Sequence, residues 1–216
     1  MTTTHTFVVL NESHQSELSR LIEIYQEAID PSEQKTPAEI TAMVADPRYA
    51  LMVSITRGEV SGFSICLFPP GADFFLLEYM AIAAASRGKR VGEALFAESY
   101  RYGSARAADT MVLEVDMPGS SSNPGNDTEG RYRFYRRMEC RRIDGLTYIL
   151  PLETASTPPP MMLLVYRVPA VVSLDCGRLR TWLETIYETA YGKPRNDARI
   201  TKMLAQAART LAALPL

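Results

Sequence analysis

Residues 74–83 read FFLLEYMAIA, an almost wholly apolar run broken only by Glu78, and they pass directly into a turn and a helix. A strand apolar on both sides must be covered on both faces, so it belongs at the centre of a sheet. The flanking sequence supplies the cover. Residues 6–10 (TFVVL) are a short β-branched run, followed by Leu18, Leu21, Ile22, Tyr25 and Ile29 at helical spacing, with Ser13 placed to cap that helix. Thr36, Pro37 and Glu39 spell a capping box with proline at the first helical position. Residues 49–56 and 60–68 flank Arg57-Gly58-Glu59 as a β-hairpin, and Pro69-Pro70-Gly71 breaks the chain before the central strand.

The second half continues the alternation. A helix is expected over 89–107, a strand over 111–117, a polar surface loop over 118–127 and an Arg-rich helix over 129–138. Two further strands are expected at 142–150 and 161–168, separated by the Pro158-Pro159-Pro160 run. Beyond Pro169 the pattern predicts a helix around Leu179, Leu183, Ile186 and Tyr187, ended by Gly192, and a second Ala/Leu-rich helix over 200–214. The expectation is an α/β fold: a mixed sheet with helices on both faces, and a helical tail.

Composition narrows the chemistry. The 216 residues are 46% hydrophobic with a formal net charge of −2, an ordinary globular balance without the basic excess of a nucleic-acid binder. No window approaches the roughly 18 apolar residues of a membrane span, and the N-terminus shows no signal peptide. Cys66, Cys140 and Cys176 are too scattered for a disulfide framework or a metal site, so a cytoplasmic location is expected. His5 and His14 are the only histidines, which disfavours triads, Cys–His pairs and His-rich metal centres.

Three segments can carry chemistry. In the turn after the central strand, Arg87, Gly88, Lys89, Arg90 and Gly92 precede a helix start, where unpaired amides and the helix dipole receive anions; a plain strand-to-helix connection with solvated charges is the alternative. Residues 131–142 hold six arginines against one glutamate, either a solvated basic face or a site, with Tyr135 either buried aromatic or functional phenol. Glu78 and Glu114 interrupt apolar strands, as proton acceptors do, unless they face solvent or pair with arginine.

Taken together, residues 6–168 resemble the GNAT superfamily of acetyl-CoA-dependent N-acetyltransferases. The motif [RQ]xxGx[GA] reads here Arg87-Gly88-Lys89-Arg90-Val91-Gly92, with Arg90 in place of the first glycine. An arginine there must project away or contact phosphate itself. Met80, Ala81 and Ile82 match the strand whose backbone pairs with the pantetheine arm, and Glu93 completes the phosphate-binding turn. Residues 134–140 are similar to the FYxRxGF signature, with Glu139 and Cys140 at the usual glycine and phenylalanine, and Thr128 replaces a frequent asparagine. The resemblance implies a GNAT-like, mainly antiparallel sheet, a transferase domain over 1–168 and a C-terminal helical extension over 169–216. It implies acetyl-CoA as acyl donor, no metal, and a small-molecule or peptide amine as acceptor. Glu114 would be the base, Glu78 its reserve, and Tyr135 the acid toward the leaving thiolate, its pKa lowered by Arg131, Arg136 and Arg137. The other readings are a catalytically silent acyl-CoA sensor, and an interaction module working through residues 174–214, which either cap the core or form a homodimer arm.

Overall fold

A computed structural model describes residues 4–119, 127–152, 161–205 and 210–216. The elements are β1 (His5–Val9), α1 (Gln15–Ala28), α2 (Pro37–Ala45), β2 (Tyr49–Thr56), β3 (Glu59–Leu67), β4 (Phe75–Ile82), α3 (Val91–Arg106) and β5 (Met111–Asp116). They continue with α4 (Thr128–Arg137), β6 (Arg141–Ile143), β7 (Met161–Tyr166), β8 (Ser173–Asp175), α5 (Cys176–Tyr191), α6 (Ala198–Leu204) and β9 (Thr210–Pro215). The chain forms two compact units: residues 1–70 with 77–107, and residues 71–76 with 108–216. Most of the expected loop over 118–127, and the proline run 158–160, lie outside the described residues.

In the first unit the strands follow the order β1-β2-β3-β4. β1 and β2 pair antiparallel, as do β2 and β3. The β2–β3 hairpin closes through Arg57 and Gly58 at φ of 53° and 82°, the doubly left-handed turn that matches strand twist. The capping box of α2 is formed: the Thr36 hydroxyl accepts from the Glu39 amide while the Glu39 carboxylate accepts from the Thr36 amide. Ser13 does not cap α1. His14 stands at that N-cap without a side-chain capping bond, its Nδ1 accepting instead from the Asn11 amide at 3.1 Å, and the Ser13 hydroxyl donates to Asn11 Oδ1 at 2.6 Å. The core of this unit gathers Leu21, Ile24, Tyr25 and Ile40 from the helices against Leu51, Val53, Phe63 and Ile65 from the sheet.

In the second unit the order is β5-β7-β6-β9-β8, with every described pairing antiparallel. The strand expected over 142–150 is short, because Gly145 at φ 75° turns the chain and leaves only a lone bridge between Tyr148 and Met161. The helix expected over 200–214 is corrected more deeply. It ends at Leu204, and Thr210–Pro215 is strand β9, paired with β6 on one side and β8 on the other. Leu211 and Ala213 are buried while Thr210 and Ala212 are exposed, a period of two hidden in a composition that favours helix. The extension 169–216 is therefore built into the sheet of this unit as well as carrying the two helices expected there. Among the described residues no helix is long and apolar enough to cross a membrane.

Candidate active site

The turn after β4 is built by conformation as much as by charge. Gly88 sits at φ 74°, and Arg90, the N-cap of α3, at φ 62° and ψ 11°, a left-handed conformation that non-glycine residues seldom adopt. No side chain caps α3, so the amides of its first turn have no acceptor from the N-cap residue. The Arg90 side chain is 85% exposed, and its Nε donates to Glu93 Oε2 at 2.9 Å. Arg87 Nε donates to the Ile82 carbonyl at 3.3 Å and Lys89 Nζ to the Ala85 carbonyl at 2.7 Å, so backbone carbonyls hold two cations close to the turn. Met80, Ala81 and Ile82 are half-buried at the end of β4. There Gly62 of β3 approaches so closely that a Cβ on it would meet the Ala81 carbonyl at 2.8 Å.

Glu78 lies on β4 with its side chain only 3% exposed. Lys35 Nζ stands 3.1 Å from Oε1, an ion pair by distance, yet neither carboxylate oxygen has a partner in hydrogen-bond geometry. Burial pushes the carboxyl above the ordinary glutamate value of 4.5, and Lys35 opposes that rise. The same carboxylate, with burial the larger cause, helps to push the Cys66 thiol up to about 12.

Glu114, on β5 opposite Leu163 of β7, has a different environment. Tyr148 donates its phenol proton to Oε1, and Tyr191 donates to Oε2 at 2.6 Å. Tyr148 is fully buried and comes from the segment after β6; Tyr191 is the last residue of α5. Both belong to the second unit with Glu114. They lie 34 and 77 residues further along the chain, so nothing in the spacing around Glu114 announces them.

Tyr135 occupies a half-buried position on α4, its ring 5.1 Å from that of Phe134. The expectation that three arginines lower its pKa is corrected. Burial drives it well above the ordinary phenol value, the neighbouring Cys140 adds to the rise, and Arg131 alone of the three opposes it. Arg136 and Arg137 are exposed, and Arg131 is drawn to Asp116, its Nη2 2.7 Å from Oδ2. Among the described residues no group of His, Cys, Asp and Glu could hold a metal ion.

No protein-family model matches this sequence, and no curated protein matches it. Solved structures do. A putative GNAT acetyltransferase from Bacteroides thetaiotaomicron aligns over 87% of this chain and 98% of its own, with a TM-score of 0.68 at 17% identity. The ribosomal-protein-S18-alanine N-acetyltransferase of Escherichia coli aligns over 76% and 94%, with a TM-score of 0.57 at 16% identity. Arabidopsis thaliana NAA60, solved in complex with acetyl-CoA, covers 77% and 100% at the same TM-score and identity. These likenesses span most of the chain at low identity: the chain has the fold of the GNAT acetyltransferases.

Proposed function

We propose that this chain is a cytoplasmic N-acetyltransferase that moves an acetyl group from acetyl-CoA to a primary amine while both substrates are bound. The observation that carries the reading is the start of α3, uncapped and entered through left-handed Gly88 and Arg90, in a chain of this fold. Amides left without an acceptor at a helix N-terminus, with Arg87 and Lys89 beside them, suit a pyrophosphate. In this reading residues 87–93 hold the coenzyme phosphates and the backbone of Met80, Ala81 and Ile82 receives the pantetheine arm. Residues 1–168 are the transferase domain and 169–216 its extension. The acceptor is a small-molecule or peptide amine.

The amine nitrogen attacks the thioester carbonyl, passes its proton to Glu114, with Glu78 in reserve, and the carbon–sulfur bond breaks. The departing thiolate takes a proton from Tyr135. Burial keeps the Tyr135 phenol protonated and at the same time makes it a weaker acid, so its part in thiolate protonation rests on its place in the 134–140 signature. Positioning and proton transfer are the protein's share; the activated acyl group is the coenzyme's.

A second reading, a silent acyl-CoA sensor, draws support from Glu114, both of whose oxygens already accept phenol protons. One experiment separates the two. Acetyl-CoA at about 100 times its Kd should stabilise the fold by about 2.7 kcal/mol. Stabilisation with thiol release across an amine panel supports the transferase, stabilisation alone the sensor, and neither an interaction module.

A further inference from the structure

The carboxylate of Glu114 is held by two phenols that come from far along the chain, and one of them belongs to the C-terminal extension. The attachment of α5 is double. Tyr187 donates to the Ile149 carbonyl and sets its ring edge-on to Tyr148 at 6.3 Å. Four residues on, and so on the same helix face, Tyr191 reaches Glu114. Thus α5 grips the segment that carries Tyr148 as well as the carboxylate itself. The helix stops just after Tyr191, where Gly192 at φ 62° returns its amide to the carbonyls of Glu188 and Tyr187. That ending gives Tyr191 a defined place.

We propose that the extension completes the proton-transfer site: Tyr191 is a positioning residue that, with Tyr148, fixes the Glu114 carboxylate in the orientation in which it receives the amine proton. This rests on the reading of Glu114 as the base. It also gives residues 169–216 a part in the chemistry beyond covering the core. A charge-assisted bond of this kind is among the stronger hydrogen bonds in a protein, and a carboxylate that loses it turns about its side-chain bonds.

The test uses the full chain and Tyr191→Phe, which keeps the ring and removes only the hydroxyl. With the amine identified by the panel screen, kcat should fall about tenfold or more while KM for acetyl-CoA stays near the parent's and the melting temperature drops only by the few degrees that one lost hydrogen bond costs. In a Glu114→Gln background the same change should cost no more than a few-fold further, since the two side chains act as one unit. Independently of turnover, the ¹³C resonance of the Glu114 side-chain carboxyl should move in Tyr191→Phe. If Glu114→Gln turns over like the parent, the base assignment falls and this inference with it. If Glu114→Gln is impaired but Tyr191→Phe matches the parent in kcat and in the carboxyl resonance, the inference alone is overturned.

Discussion

Two carboxylates that look alike in the sequence, each a lone acid in an apolar strand, meet opposite fates. Glu78 is buried beside Lys35 without a hydrogen bond, whereas Glu114 has a phenol on each oxygen. For Glu78 the consequence is a pH-dependent stability. Its folded pKa lies above the ordinary 4.5, with burial the larger cause and Lys35 opposing, so the native state binds the proton more tightly than the unfolded chain does. Its contribution is fully present below 4.5 and is lost as the pH rises through the folded value. Glu78→Gln cannot titrate, so its stability relative to the parent should increase as the pH is raised from below 4.5 through the neutral range in urea titrations. A difference flat across that range would show that the carboxyl titrates normally. Tyr135 offers a kinetic counterpart: Tyr135→Phe preserves the packing against Phe134 and should lower kcat by about 10²- to 10⁴-fold with acetyl-CoA affinity unchanged. Turnover within a few-fold of the parent would make the phenol a packing group. Three arginines lie near Tyr135 in the sequence, but the helix turns Arg136 and Arg137 to solvent, and burial prevails.

Elements set by local chemistry were readable. The Thr36–Glu39 capping box, the Arg57-Gly58 hairpin turn and the β4–turn–α3 passage each depend on contacts within a few residues. Gly92 in the first turn of α3 is the position where that passage can be tested. Gly92→Val adds a branched side chain where the backbone is expected to approach phosphate, and it does so without loss of helix propensity, because glycine is the poorer helix former of the two. Calorimetry should show acetyl-CoA binding at least tenfold weaker in a variant that still unfolds cooperatively. Retained affinity would take the phosphates away from this turn. β9 shows the limit of local reading, because its Ala and Leu residues prefer helix on their own and only β6 and β8 make them a strand.

At the scale of the molecule, residues 169–216 supply much of the buried core of the second unit. α5 buries Leu179, Trp182, Leu183, Ile186 and Tyr187, and Trp182 packs on Phe74 at 5.3 Å while its Nε1 donates to Asp73 at 2.6 Å. Burying side chains of this size is worth about 1.5–3 kcal/mol each, and five of them match the whole 5–15 kcal/mol stability of a typical domain. A chain ending at Val168 should therefore lose the cooperative unfolding of this unit and the near-ultraviolet signal of its packed aromatics; a truncated chain with the parent's melting temperature would refute that. What the sequence determined by itself was the order of the elements through β7, the turn that opens α3, and the GNAT-like architecture these imply, because caps, turns and periodicity are short-range physics. Tertiary structure alone decided that residues 210–215 pair as a strand, that Tyr148 and Tyr191 take hold of Glu114, and that burial rather than nearby charge governs Tyr135. Pairing, hydrogen bonding and desolvation depend on which distant residues arrive at a given point, and no spacing along the chain records that.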